Sequence, residues 1–151
     1  MKSSVIDDLK IIINWIKSSE EARLWGGAKI RYPLSIDSLM DDIRFSENHS
    51  YSFFDNHDLY GFAQVVDLDK EIGHIARVII KPEKRGIGLG SRLLGEMIEY
   101  CDLNGYKQLN LNVYMSNISA ISLYKSYGFQ VSKTDNSHSS LTMTRIRTEY
   151  L

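Results

Sequence analysis

The chain has one cysteine, Cys101, so it has no internal disulfide and no cysteine set for zinc. Proline is nearly as scarce, with two in 151 residues, and no Pro- or Gly-rich linker divides the sequence. An excess of one charge is also missing: 18 Lys plus Arg face 19 Asp plus Glu, for a net charge of -1. Bulk electrostatics therefore give no reason to expect nucleic acid or an anionic membrane as partner. The longest aliphatic runs are Ile11–Ile13 and Val78–Ile80, far short of the roughly 20 apolar residues of a membrane span. Met1-Lys2-Ser3-Ser4 leads into a charged amphipathic stretch with no readable signal peptide, and the expected address is the cytosol. What remains is ordinary globular composition, 43% hydrophobic and 25% charged. The length suits one domain over 1–151.

Val5, Ile6, Leu9, Ile12, Ile13 and Ile16 recur at steps of three and four, which predicts an amphipathic helix over roughly 4–18. A shorter helical piece over 20–25 stops at Gly26-Gly27, and Ser35 is placed to cap another helix carrying Ile36, Leu39, Met40 and Ile43. The period then changes. Residues 51–55 and 59–68, rich in aromatic and β-branched side chains, flank Asn56-His57-Asp58 and read as a hairpin. A third strand over 74–81 ends at Pro82. Leu89, Leu93, Leu94, Met97, Ile98 and Cys101 form one helix face that ends at Gly105. Alternation over 109–114 gives a strand, 117–126 a helix, and 129–132 with 139–147 two closing strands. Strand–helix–strand passages over 75–113 require a parallel pair, so the expected class is α/β with a mixed sheet. Arg145 and Arg147 read as solvated strand residues.

The segment carrying most chemistry is Lys81-Pro82-Glu83-Lys84-Arg85-Gly86-Ile87-Gly88-Leu89-Gly90-Ser91, a strand end, a glycine-rich turn and a helix start. A helix N-terminus presents unpaired N–H groups and the positive end of its dipole. Glycines keep side chains away from those amides, which makes an anion cradle suited to a diphosphate. No Gly-Lys-Ser or Gly-Lys-Thr follows, which excludes the P-loop. The glycine spacing, and the helices and hairpin before it, exclude a dinucleotide-binding Rossmann unit. His57 and His138 lack ligand spacing, so no metal site is expected.

Arg85-x-x-Gly88-x-Gly90, followed by Asn117-x-x-Ala120-x-x-Leu123-Tyr124-x-x-x-Gly128-Phe129, resembles the GCN5-related N-acetyltransferase (GNAT) superfamily, most closely over 72–131. The resemblance implies a mixed sheet whose central parallel strands splay apart, and acetyl transfer from acetyl-CoA to an amine by direct attack. It implies acetyl-CoA as co-substrate, no metal, and an amine of a small molecule or peptide as partner. Val78 and Ile80 would pair through their backbone with the pantetheine, one amide polarising the thioester carbonyl. The amides of Arg85, Gly86, Ile87, Gly88, Leu89, Gly90 and Ser91 would hold the diphosphate, and Asn117 the pantetheine arm. Tyr124 would protonate the departing thiolate. Presenting a lysine-like amine neutral at pH 7 costs about 4.6 kcal/mol, and His74 is the candidate base. Asn112 stands where ribosomal-protein acetyltransferases carry a glutamate. Trp25 and Tyr32 fall in the region that contributes the family's acceptor pocket. The family's N-terminal edge strand is expected to be missing or very short, and homodimers are common among its members. The alternative reading is a non-catalytic acyl-CoA-binding or regulatory module with the same fold.

Overall fold

The computed structural model describes residues 1–150. Seven strands form one mixed sheet in the order β1-β2-β3-β4-β5-β7-β6. In chain order these are β1 (Lys2–Ser3), β2 (His49–Asp55), β3 (Asp58–Asp67), β4 (Ile72–Ile80), β5 (Gln108–Tyr114), β6 (Gln130–Asp135) and β7 (Ser140–Ile146). The α-helices are α1 (Ile6–Ile12), α2 (Ser19–Gly26), α3 (Ile36–Asp42), α4 (Leu89–Leu103) and α5 (Ile118–Ser126). The edge strand expected to be missing or very short is the two-residue β1, paired antiparallel with Tyr51–Ser52. Residues cluster into two compact units, Met1–Val65 with Ala76–Leu93, and Val66–Ile75 with Leu94–Leu151.

In the first unit, the helix predicted over 4–18 divides. After α1 a single 3-10 turn covers Ile13–Trp15, and Ile16 is extended. The cause is capping. Ser18 Oγ accepts the Glu21 N–H at 3.1 Å, while the Glu21 carboxylate accepts the Lys17 N–H at 2.5 Å. Those bonds start α2 and end what periodicity alone would continue. Leu9, Ile12, Trp15, Ile16, Ala22, Leu39 and Ile43, from the helices and the residues just after them, pack with Phe62 and Ile79 from the strands. Asn56 and His57 join β2 to β3, both with positive φ (47° and 74°), the two-residue turn that suits a twisted hairpin.

In the second unit, β4 pairs parallel with β5 over Ile72–Ile75 against Gln108–Leu111, and the recorded ladder ends at Ile75. Leu94, Met97, Ile98 and Cys101 of α4, Leu109, Leu111 and Val113 of β5, Phe129 and Met143 are buried. Arg145 and Arg147 correct the expectation of solvated residues. Arg145 grips the Asp102 carboxylate with two bonds of 2.9 Å, its side chain 14% exposed, and Arg147 Nη1 donates to the Asp102 carbonyl at 2.8 Å.

Candidate active site

The glycine-rich turn lies in the first unit. After β4 a 3-10 turn over Pro82–Lys84 reverses the chain, and Arg85 folds back so that its Nε donates to the Ile80 carbonyl at 3.0 Å. Gly86 and Gly88 then take φ values of 79° and 87°. A side chain disfavours that conformation by about 1–2 kcal/mol, so these two positions select glycine. A methyl group at Gly86, Gly88 or Gly90 would meet nothing within 4 Å. The first bond into α4 runs from the Arg92 N–H to the Gly88 carbonyl at 3.2 Å, so the amides of Leu89 and Gly90 have no acceptor within the helix. Open space beside helix-start amides suits anionic oxygens. Val78 and Ile80, half-buried, frame the buried Ile79 on β4.

One residue between the candidates went unread in the sequence. Arg77 sits in β4 with φ 53°, in the left-handed region. Its carbonyl accepts the Trp25 indole N–H at 2.9 Å, and its Nη1 donates to Gln64 Oε1 at 2.9 Å. Trp25 also tilts against Phe62, ring centroids 6.2 Å apart. The other acceptor-region candidate, Tyr32, is exposed and donates its hydroxyl to the Lys17 carbonyl at 3.0 Å. The only sequence signal at Arg77 is a guanidinium inside an apolar strand.

The second unit holds the remaining candidates, each on its own element. Asn117 caps α5, its Oδ1 accepting the Ala120 N–H at 3.3 Å. Ser119 Oγ donates to the same oxygen at 3.4 Å, which takes both its lone pairs and leaves Nδ2 able to donate. Tyr124 is half-buried in the last turn of α5 and meets Phe129 edge-on at 6.0 Å. Burial pushes its phenol above the ordinary tyrosine range, so the group stays protonated at neutral pH. His74 is half-buried on β4 opposite Asn110 of β5. Asn110 and Asn112 are acceptors for Thr144 and Thr142 of β7, at 3.0 and 2.9 Å.

Residues 12–129 match the model of the acetyltransferase (GNAT) family. The chain belongs to that family. Among curated relatives of this GNAT chain, the spermine/spermidine N(1)-acetyltransferase of Bacillus subtilis is 33% identical over 75 residues, covering 48% of this chain and 49% of the relative. A second Bacillus subtilis protein, provisionally named a ribosomal protein bS18 alanine N-acetyltransferase, is 39% identical over 75 residues, covering 46% and 50%. The GNAT chain thus spans about half the length of these curated relatives. Among solved structures, the PaiA N-acetyltransferase of Thermoplasma acidophilum in complex with coenzyme A superposes with a TM-score of 0.74 at 23% identity. That match covers 97% of each chain. AAC(6')-Ib in complex with ribostamycin and coenzyme A gives a TM-score of 0.79 at 19% identity over 99% of this chain and 93% of that one. These likenesses establish the mixed α/β fold of the family. No helix among the described residues is long and apolar enough to cross a membrane.

Proposed function

We propose that this chain transfers an acetyl group from acetyl-CoA to a primary amine of a small molecule or peptide. The observation that carries the reading is the 85–91 turn, where left-handed Gly86 and Gly88 expose amides beside open space within a GNAT-family chain. Acetyl-CoA fits that turn through its diphosphate, which takes several amide donors at once. The Arg85 N–H is already given to the Pro82 carbonyl at 3.4 Å, which corrects its expected part in the cradle. The amides of Gly86 to Ser91 then bind the diphosphate, and the Val78 and Ile80 backbone holds the pantetheine. Relatives named for acetylating spermine or spermidine and ribosomal-protein alanine support an amine acceptor.

In the reaction the neutral amine forms a C–N bond to the thioester carbonyl carbon, and the C–S bond breaks. Tyr124 gives its proton to the departing thiolate, a role its protonated state allows. His74 receives the proton that the amine sheds, directly or through water. Asn117 donates from Nδ2 to the pantetheine arm while its Oδ1 caps α5. The proposed reaction routes no step through a metal. A cytosolic address and a homodimeric assembly go with this proposal, to be read by cell fractionation and light scattering.

Thiol release from acetyl-CoA across a panel of amines is the test. Saturable acetyl-CoA binding without release for any amine would overturn catalysis in favour of a binding module. ATP or NAD raising the melting temperature as much as acetyl-CoA would point to a nucleotide binder.

A further inference from the structure

Arg77 combines two costs that nothing in its own unit relieves. Its left-handed backbone disfavours a residue with a side chain. Its guanidinium is half-buried, with no carboxylate paired to it among the described residues. The side chain is nevertheless held firmly. Nη1 donates to Gln64, a fully buried amide that in turn donates to the Ile43 carbonyl at 3.0 Å and Ser50 Oγ at 2.8 Å. The Trp25 indole N–H holds the backbone by donating to the Arg77 carbonyl.

What stays unclaimed is one whole edge of the guanidinium. Nε is sealed from solvent with no partner, and Nη2 makes no hydrogen bond among the described residues. Nε–H and Nη2–H point the same way from the planar group. That pair takes a carboxylate through two parallel bonds. A buried donor left unpaired costs about 1–3 kcal/mol, more when charged. Strain and unmet polarity kept in one residue collect where ligands bind.

We infer that the Nε–Nη2 edge of Arg77, uncovered as the acceptor seats, binds a carboxylate carried by the acceptor, so that amino acids and other amino carboxylates are its substrate class. The inference rests on the acetyltransferase reading above. Charge argues the same way. A polyamine would bring more positive charge to a cation that lacks a counter-ion, whereas an amino carboxylate supplies one.

The experiment compares thiol release from acetyl-CoA for amino acids and for their carboxamides, with spermidine as the polyamine. Converting the acid to its amide lowers the amine's pKa and raises the neutral fraction, so chemistry alone favours the amide. The expected result is a kcat/KM about tenfold or more higher for the acid, as a charge-assisted pair predicts. In Arg77→Gln the acid-to-amide ratio falls to about one. In Arg77→Lys, which keeps the charge without the fork, it lies between. The wild-type ratio needs no variant, so a variant that fails to fold does not shield the inference. Equal efficiencies for acid and amide, or a ratio that survives Arg77→Gln, overturn it. So does a loss of acetyl-CoA affinity in Arg77→Gln with the ratio unchanged, which assigns the edge to a cosubstrate phosphate. No release from any amine overturns the acetyltransferase reading and this inference with it; release without discrimination overturns this inference alone.

Discussion

Gly88 and Gly90 sit two residues apart in the same turn, and alanine at each should do opposite things. Both positions have room, since an added methyl meets nothing within 4 Å at either. They differ in backbone. Gly88 is left-handed at 87°, whereas Gly90 lies in the first turn of α4. Gly88→Ala therefore carries about 1–2 kcal/mol of strain. Gly90→Ala restricts the unfolded chain at no native cost and gains about 0.5–1 kcal/mol. A chain of this size shifts its melting temperature by about 2–4 °C per kcal/mol. Gly88→Ala should lose about 2–8 °C and Gly90→Ala gain about 1–4 °C. The same melts, repeated with acetyl-CoA, read the cradle. At about a hundred times its Kd, a ligand adds about 2.7 kcal/mol to the wild type. Gly88→Glu, which puts a carboxylate into the open space, should lose that increment entirely. Equal melting temperatures for the two alanine variants would refute the backbone argument. An undiminished acetyl-CoA shift in Gly88→Glu would refute the diphosphate assignment.

Tyr124→Phe should lower kcat by about 10²–10⁴ with acetyl-CoA affinity retained, measured by steady-state kinetics and calorimetry; full turnover would remove the acid role. Asp102→Ala strands Arg145 with its side chain 14% exposed, so stability should fall by about 2 kcal/mol in urea titrations. A change below about 0.5 kcal/mol would show the pair behaving as a surface one. The Cys101 thiol is buried and pushed up to about 12, chiefly by desolvation. A raised thiol stabilises the fold below its unfolded pKa, and that contribution fades between about 8.5 and 12 as pH rises. Alkylation at pH 8 should therefore await unfolding, and rapid labelling of the native protein would contradict it.

The turn at 85–91 was legible because its conformation demands a residue type: positive φ at Gly86 and Gly88 can be read from the glycines themselves. The hairpin at Asn56-His57 was legible for a similar reason, as asparagine tolerates left-handed backbone. Long-range pairing left no such trace. Arg145 and Arg147 looked solvated because Asp102, forty-three and forty-five residues earlier, is brought to them only by folding. The helix over 4–18 was drawn too long because apolar spacing persisted through Ile16, while Ser18 and Glu21 had already begun another helix. Arg77 escaped notice because arginine carries no preference for the backbone it adopts there. The candidate residues Asn117 and Tyr124 came from a motif, and the structure adds that Asn117 is a helix cap.

The bond from the Trp25 indole to the Arg77 carbonyl gives the protein an intrinsic optical gauge. The only other tryptophan, Trp15, is 6% exposed in the apolar interior of the same unit and serves as a steady background. Indole emission is sensitive to whether its N–H is tied up, so any compound that tugs on the Arg77 backbone should shift the Trp25 contribution. Acceptor candidates could then be ranked by fluorescence titration of the unlabelled protein, before a single turnover is measured.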